Sequence, residues 1–312
     1  MRIVFFGNAD FGCNTLEGLA ASEHEIVAVV TNKNKKSGRN LKLRSTPIKE
    51  ITLKLGLNLI EVDSLEALSL KDLLKSLCPD IFVVIAYKIM PKQIYSIPAL
   101  GSVNLHASLL PSYKGAAPIQ RAIINDEKYT GLSSFFLNNS IDGGELIKQM
   151  KINIDKGDTF ENVWRNLYHK SSQFMIDTLT LINNNQKSLI SDLNLRESYA
   201  PKIKKEELKI NWLEPSALIH NKVRAFHPFP SMYTCLNNKR VKILKSQKTN
   251  YRHEHSLEIG TAVVDNNKLL VKCGEGFLDL ITVRPDSKQD MNAIDFVNGF
   301  FNSTETNINV FR

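Results

Sequence analysis

The stretch Asn104-Leu-His106 places an amide and an imidazole two residues apart, directly after the apolar run at residues 99–103. In a β-strand, residues i and i+2 point to the same face, so Asn104 and His106 should look into one site. Polar groups on the buried face of a strand need partners or a function. Asp142, which precedes two glycines, adds a carboxylate on a Gly-rich turn. An amide, an imidazole and a carboxylate together can support acyl transfer without a covalent enzyme intermediate.

The first half of the chain alternates strand and helix patterns, and these elements must position the polar residues. Strands are predicted at residues 2–6, 25–31 and 81–86, and helices at 14–21, 47–55 and 65–77. This order predicts an α/β fold, a Rossmann-like and mostly parallel sheet with helices on both faces. Ligands bind such sheets at the carboxyl ends of the strands, where Asn104 and His106 are expected. The turn at residues 7–12 matches neither G-x-G-x-x-G nor the Walker pattern, so we expect neither a dinucleotide nor ATP.

The second half changes character after a long amphipathic helix predicted at residues 160–183. A short helix is predicted at 216–224, and five short strands follow at 232–236, 240–245, 260–264, 269–272 and 277–283. Short strands separated by Asn and Gly turns predict a small, OB-like β-barrel. We therefore expect an N-terminal catalytic domain at 1–187, a linker at 188–205 and a C-terminal nucleic-acid-binding barrel at 206–312.

Composition and charge narrow the class of protein. Of 312 residues, 43% are hydrophobic and 23% charged, which is ordinary for a soluble domain protein. The absence of a long apolar run or a signal-like start predicts a cytoplasmic protein. The four cysteines form no C-x-x-C pair, so no metal site is expected.

The net charge of +8 is concentrated in two stretches without acids. Residues 33–49 contain seven Lys or Arg, and residues 215–253 contain eight. A solvated face is the simpler interpretation of such runs, but acid-free stretches of this length attract polyanions. We therefore expect contact with nucleic acid.

Several motifs together are similar to a known family. The run Asn104-Leu-His106-x-Ser108-Leu-Leu-Pro111-x-Tyr-Lys-Gly115, followed by Asp142-Gly-Gly, resembles the 10-formyltetrahydrofolate-dependent formyltransferases. The continuation Ala116-Ala-Pro-Ile-Gln-Arg121 resembles the methionyl-tRNA formyltransferases within that family. Further matches follow in the same order: Tyr199-Ala-x-Lys202, Ile210-x-Trp212 and Val223-Arg-Ala-Phe-x-Pro228-x-Pro230.

The resemblance implies transfer of a formyl group from 10-formyltetrahydrofolate, as co-substrate, to the α-amine of methionyl initiator tRNA. It implies no metal, no membrane partner and a monomer. Its catalytic residues map onto Asn104, His106 and Asp142. Its folate-binding residues map onto Ile85, Ala86, Tyr87, Met90, Ser108, Leu109, Leu110 and Pro111. Its tRNA acceptor loop implies contacts from Lys35, Lys36, Arg39, Lys42 and Arg44.

The chain departs from the family pattern at two places that bear on these expectations. After the first strand it has Gly7-Asn8-Ala9 where Gly-Thr-Pro is usual, and its acceptor loop lacks a proline before Gly38-Arg39. Two other functions stay open. An amino-sugar nucleotide formyltransferase would share the three catalytic residues, and a catalytically idle tRNA-binding protein could share the scaffold.

Overall fold

The structure is a computed structural model that describes residues 1–37, 42–186, 195–253, 255–301 and 310–312. It contains two compact units. The first comprises Met1–Pro118, Tyr129–Asn153 and Arg165–Ala200, and the second comprises Ile119–Lys128, Ile154–Trp164 and Pro201–Arg312.

The regular elements follow one another along the chain as β1 (Arg2–Gly7), α1 (Cys13–Ala20), β2 (Glu25–Asn32), β3 (Lys35–Ser37), β4 (Lys42–Arg44), α2 (Pro47–Lys54), β5 (Leu59–Val62), α3 (Leu68–Ser76), β6 (Ile81–Ile85), α4 (Lys92–Tyr95), β7 (Ser102–His106), α5 (Pro118–Ile124), β8 (Tyr129–Phe136), β9 (Leu146–Asn153), α6 (Phe160–Asn183), α7 (Ser216–Ala225), β10 (Met232–Leu236), β11 (Lys239–Lys248), β12 (Ala262–Asp265), β13 (Lys268–Lys272), β14 (Phe277–Pro285), β15 (Met291–Asn292) and α8 (Ala293–Phe300).

The first unit is built on a seven-stranded sheet in the order β5-β2-β1-β6-β7-β8-β9. The five strands from β5 to β7 are parallel, and β8 and β9 extend the sheet in antiparallel pairing. The predicted fold, a mostly parallel sheet with connecting helices, is confirmed. Along the chain, β2 and β5 are added on one side of β1, and β6 and β7 are then added on the other side. Ligands of such sheets bind at the point where this order switches.

Both faces of this sheet are covered, which explains why β1 and β6 read as uninterrupted apolar runs. On one face, Val4 and Phe6 belong to a buried cluster that includes leucines of α3 and Ile94 of α4. On the other, Phe5 and Ile48 of α2 both crowd the backbone of Gly7. The sheet is therefore rigid at the carboxyl ends of its central strands, where the polar residues of β7 lie.

The predicted elements of the first half agree with the structure within a few residues, but the prediction was incomplete. The strands β5, β8 and β9 were missed, and the basic stretch contains the paired strands β3 and β4. In β8, buried Ser133 and Ser134 interrupt the apolar pattern that marks an interior strand. Their hydroxyl groups are satisfied by partners on other segments.

The second unit contains a six-stranded antiparallel sheet in the order β10-β11-β14-β13-β12, with β15 paired to β14. The five predicted strands are present, and the two-residue β15 and the helix α8 were missed. Two hairpins turn on Asn pairs with positive φ, Asn237-Asn238 and Asn266-Asn267, as tight hairpin turns require. Val310 and Phe311 then bridge Thr261 and Leu236, so the end of the chain joins the two outer strands.

No helix in the described ranges combines the length and apolar character needed to cross a membrane.

Candidate active site

The strand β7 lies where the sheet changes from parallel to antiparallel pairing. Asn104 is in register with Val84 of β6 and Phe135 of β8, and His106 is opposite Ser133. Asn104 is partly buried and His106 is 8% exposed. Because the two residues are two positions apart on one strand, their side chains share a face at its carboxyl end.

The imidazole of His106 is held in one tautomer by a backbone carbonyl. Its Nε2 lies 2.9 Å from the carbonyl oxygen of Tyr113. Since a carbonyl oxygen can only accept a hydrogen bond, Nε2 must carry the proton. Nδ1 consequently faces the Asp142 carboxylate, with 3.7 Å between Nδ1 and Oδ2. The structure thus brings together two predicted site residues that are 36 positions apart.

Asp142 is fixed by the backbone around it. Its Oδ2 accepts a hydrogen bond from the Gly115 N–H at 2.8 Å, and its own φ is +46°. The turn needs glycine at the second position after Asp142, because a Cβ on Gly144 would lie 1.6 Å from the carbonyl oxygen of Phe136. The carboxylate is therefore presented to His106 by a turn with little freedom.

The corner at residues 108–111 is tied to the antiparallel strands. Ser108 donates a hydrogen bond through Oγ to the carbonyl of Ser112, at 2.6 Å. The Leu110 N–H donates to Ser133 Oγ, which itself donates to the Ser108 carbonyl. Ser108, Leu109 and Leu110 are all buried, and Pro111 is partly buried. The Leu109 side chain packs against Gly131 of β8.

Two residues that hold this corner were missed from the sequence. Gln149 of β9 donates through Nε2 to the Leu110 carbonyl at 2.8 Å and to Ser133 Oγ at 2.9 Å. The sequence feature that could have indicated Ser133 and Gln149 is their polarity within strands that pack on the core. Without knowing that β8 and β9 flank β7, however, nothing connected Ser133 and Gln149 to the site.

The segment after β6 lies beside the end of β7, because the two strands are neighbours. Ile85 is fully buried, Met90 is 7% exposed, and Ala86 has a positive φ of +48°. The Tyr87 ring packs on Phe6 with 5.6 Å between ring centroids, and burial raises the pKa of the Tyr87 hydroxyl. Such a positive φ in a non-glycine residue is uncommon and is often found at binding sites.

The departure at Gly7-Asn8-Ala9 has a structural role in this chain. The Asn8 Oδ1 accepts hydrogen bonds from the Thr31 hydroxyl at 3.1 Å and from the Asn32 N–H at 2.9 Å. Thr31 also bonds to the hydroxyl of Thr46, the residue that caps α2. Asn8 therefore holds the end of β2, and Thr31 links that end to the start of α2.

Two lysines of the basic stretch at 33–49 form ion pairs with acids from outside the stretch. Lys33 pairs with Asp63 and Lys49 pairs with Glu61, and both acids lie in or just after β5. Lys35, Lys36 and Lys42 belong to the paired strands β3 and β4, and Arg44 is exposed at the end of β4. Arg39 lies outside the described residues.

The second basic stretch also loses some of its charge to pairing. Arg224 is 6% exposed and donates to the Asp158 carbonyl and the Asp126 carboxylate, while Lys222 pairs with Glu214. On β11, the exposed Arg240 lies 3.5 Å from the ring centroid of Tyr233. The exposed lysines of β11 are Lys239, Lys245 and Lys248, and Lys248 lies 3.8 Å from the Asp126 carboxylate.

Two of the buried or partly buried thiols are poor nucleophiles. Burial, reinforced by Asp10 and two glutamates, raises the pKa of Cys13 to about 11. Burial likewise raises the pKa of Cys273 to about 12. Because the thiolate is the reactive form, neither thiol suits covalent catalysis at neutral pH.

The fold and the residues at the end of β7 define a class of protein, the formyl transferases. A family model described as "Formyl transferase" matches residues 1–179, and one described as "Formyl transferase, C-terminal domain" matches residues 202–301. Among solved structures, the sugar 3N-formyl transferase WlaRD, determined with dTDP and 5-N-formyl-THF, has a TM-score of 0.65. It is 22% identical, over 93% of this chain and 99% of its own, and this likeness supports the fold alone.

Curated relatives define the family more narrowly. The methionyl-tRNA formyltransferase of Thermodesulfovibrio yellowstonii is 36% identical over 95% of each chain. That of Syntrophomonas wolfei is 34% identical over 96% of each chain. The chain belongs to the methionyl-tRNA formyltransferase family.

Proposed function

We propose that this protein transfers the formyl group of 10-formyltetrahydrofolate to the α-amine of methionyl initiator tRNA. The product is N-formylmethionyl-tRNA, which is used in translation initiation. The observation that carries the proposal is the His106–Asp142 pair at the end of β7, on the face shared with Asn104, in a chain of this family.

The three residues suit a direct attack of the amine on the formyl carbon. That attack produces a tetrahedral intermediate with a negatively charged oxygen, which needs hydrogen-bond donors aimed at it. The Asn104 amide can donate through its NH₂ group. His106 Nε2 already donates to Tyr113, so only Nδ1 can donate to the intermediate, and it does so when protonated.

Asp142 supports this step by its charge. The Asp142 carboxylate, whose Oδ2 lies 3.7 Å from His106 Nδ1, places a negative charge beside the imidazole and can accept the proton lost by the attacking amine. The intermediate then collapses by breaking the bond to N10 of the folate, and N10 takes up the proton that the attacking amine gave to Asp142, so the folate leaves as a neutral amine. The leaving group is an aryl amine, which departs more easily than an alkyl amine, so no Ser or Cys nucleophile is needed.

The folate is proposed to bind between the segment after β6 and the corner after β7. The contributing residues are Ile85, Ala86, Tyr87, Met90, Ser108, Leu109, Leu110 and Pro111. Supporting this position, the two segments follow adjacent parallel strands, and ligands of such sheets bind at carboxyl ends.

The tRNA is proposed to use two regions. The acceptor end would contact the stretch with Lys35, Lys36, Arg39, Lys42 and Arg44, and the tRNA body would contact the C-terminal unit. This keeps the division into a catalytic domain at 1–187, a linker at 188–205 and a tRNA-binding barrel at 206–312. The exposed Arg240 and lysines of β11 supply phosphate contacts, which position a nucleic acid without reading its sequence.

The enzyme is proposed to act in the cytoplasm as a monomer. In support, the three proposed catalytic residues come from one chain. Light scattering of the purified protein measures its molar mass and so tests whether it is a monomer.

A substrate comparison tests the function directly. The protein should formylate methionyl initiator tRNA with 10-formyltetrahydrofolate, and it should leave a dTDP-linked amino sugar unchanged. Mass spectrometry of the released amino acid and of the sugar nucleotide reads both outcomes. Formylation of the sugar alone would replace the proposal by the amino-sugar alternative, and formylation of neither would favour the idle tRNA-binding protein.

Arg39 is proposed to discriminate between acceptor ends. Its planar guanidinium can hydrogen-bond a base or phosphate through two donors while stacking. We expect Arg39→Ala to lower kcat/KM for methionyl-tRNA by about tenfold or more, the value of one such contact, with folate binding unchanged. Arg39→Lys keeps the charge but loses the planar fork, so it should resemble the alanine variant.

Two tRNAs make the Arg39 experiment decisive, one with a mismatched acceptor end and one with a paired end. The preference for the mismatched end should collapse in Arg39→Ala. An equal loss with both tRNAs would show that Arg39 contributes only general charge.

A further inference from the structure

The segment at residues 196–200 pairs with the loop at residues 111–117, which follows β7 and contacts His106 and Asp142. Residues 196–200 run beside residues 111–117 and bond to them through backbone and side-chain groups. The pairs are Ser198 N–H to Pro111 O (3.3 Å), Lys114 N–H to Ser198 O (2.9 Å), Ala200 N–H to Lys114 O (2.6 Å), Ala117 N–H to Ala200 O (3.1 Å) and Ser112 Oγ to Arg196 O (2.8 Å). This pairing includes Tyr199-Ala200, the start of a motif that the chemistry above does not use.

Tyr113 stands at the centre of this pairing in an uncommon conformation. Its φ is +61°, which a bulky residue adopts only when its surroundings hold it there. Its N–H donates to Ser198 Oγ at 2.9 Å, and its carbonyl accepts from His106 Nε2 at 2.9 Å. The Ser198 hydroxyl therefore binds the N–H of Tyr113, the residue whose carbonyl sets the His106 tautomer.

The same stretch also fixes Asp142. Gly115 donates its N–H to Asp142 Oδ2, and its φ is +117°. A Cβ at Gly115 would lie 2.8 Å from the carbonyl oxygen of Ala200, so the segment packs directly on this glycine. Both partners of the His106–Asp142 pair are thus bound to residues 113–115, and the segment at 196–200 holds those residues in place.

We propose that Ser198 is a positioning residue for formyl transfer. By accepting the Tyr113 N–H, it keeps the Tyr113 carbonyl on His106 Nε2 and so leaves Nδ1 beside Asp142, available to the tetrahedral intermediate. The expected effect on kcat rests on the proposed function. The effect of Ser198 on the His106 tautomer does not, because the tautomer is a property of the folded protein.

The kinetic test compares Ser198→Ala with Ser198→Thr in the full-length protein. The alanine variant should lower kcat by about tenfold, because the ring is misaligned for the tetrahedral intermediate. The KM values for folate and tRNA should stay near those of the wild type. The threonine variant keeps the hydroxyl and should recover most of kcat. Equal kcat in wild type and Ser198→Ala would overturn the proposal, as would equal losses in both variants.

The second test needs no activity. Long-range ¹H–¹⁵N NMR of the imidazoles in the full-length protein reports the tautomer of each His, and His106→Gln identifies the signal of His106. We expect proton occupancy at Nε2 in the wild type and a mixture of tautomers in Ser198→Ala. Ser112→Ala removes a bond of the same pairing that does not involve Tyr113, and it should keep the wild-type pattern.

These readouts separate the two ideas. A wild-type protein that formylates no tRNA would refute the proposed function, and the NMR comparison would still decide the role of Ser198. An unchanged His106 tautomer in Ser198→Ala would reduce Ser198 to an ordinary residue of the pairing.

Discussion

Replacing His106 by alanine is expected to lower kcat for methionyl-tRNA formylation by about a hundredfold or more. In the proposed mechanism the imidazole donates to the developing oxyanion, and loss of one such donor raises the barrier by about 3 kcal/mol. His106 is 8% exposed at the end of β7, and the backbone pairing of β7 with β6 and β8 does not use its side chain, so the fold should persist. Steady-state kinetics with circular dichroism measure both effects.

A matched histidine variant controls for general damage. His169 is exposed on α6, and His169→Ala should keep wild-type kcat. Asn104→Ala should resemble His106→Ala, and the double variant should lose much less than the product of the single losses, because residues that act together are not additive. Near-wild-type kcat in a folded His106→Ala protein would remove His106 from the mechanism.

Asp142→Asn is expected to cause a comparable loss in kcat, for a reason that involves charge alone. Asn has the same size, tolerates the left-handed backbone found here at φ +46°, and can still accept the Gly115 N–H through its amide oxygen. It carries no negative charge and cannot accept the proton of the attacking amine. The turn should remain intact while turnover falls about a hundredfold, as for loss of one electrostatic group.

The control for this variant is an exposed aspartate on a helix of the same unit. Asp72→Asn on α3 makes the same chemical change away from the strand end and should leave kcat unchanged. Full activity in Asp142→Asn would leave Asp142 as an ordinary turn residue.

The amino-acid sequence by itself determined the features that depend on local periodicity. The helix predicted at 160–183 is found at Phe160–Asn183, and the strand predicted at 232–236 is found at Met232–Leu236. The common face of Asn104 and His106 likewise follows from the two-residue period of a strand, whatever packs around it. The order of short strands and helices was enough to predict a mostly parallel sheet, because that order has few compact solutions.

Only the tertiary structure decided which distant groups meet. The contact between His106 and Asp142 depends on β8 and β9 continuing the sheet beyond β7. Both strands were missed, and in β8 two buried serines interrupt the apolar pattern. The acids that pair with Lys33 and Lys49 lie in or just after β5, outside the acid-free stretch that looked uniformly basic. The hydrogen bond between Ser198 and Tyr113 spans 85 positions. Hydrophobic periodicity is read within a few turns of chain, whereas hydrogen bonds and ion pairs between such separated residues exist only once the path of the backbone has brought them together.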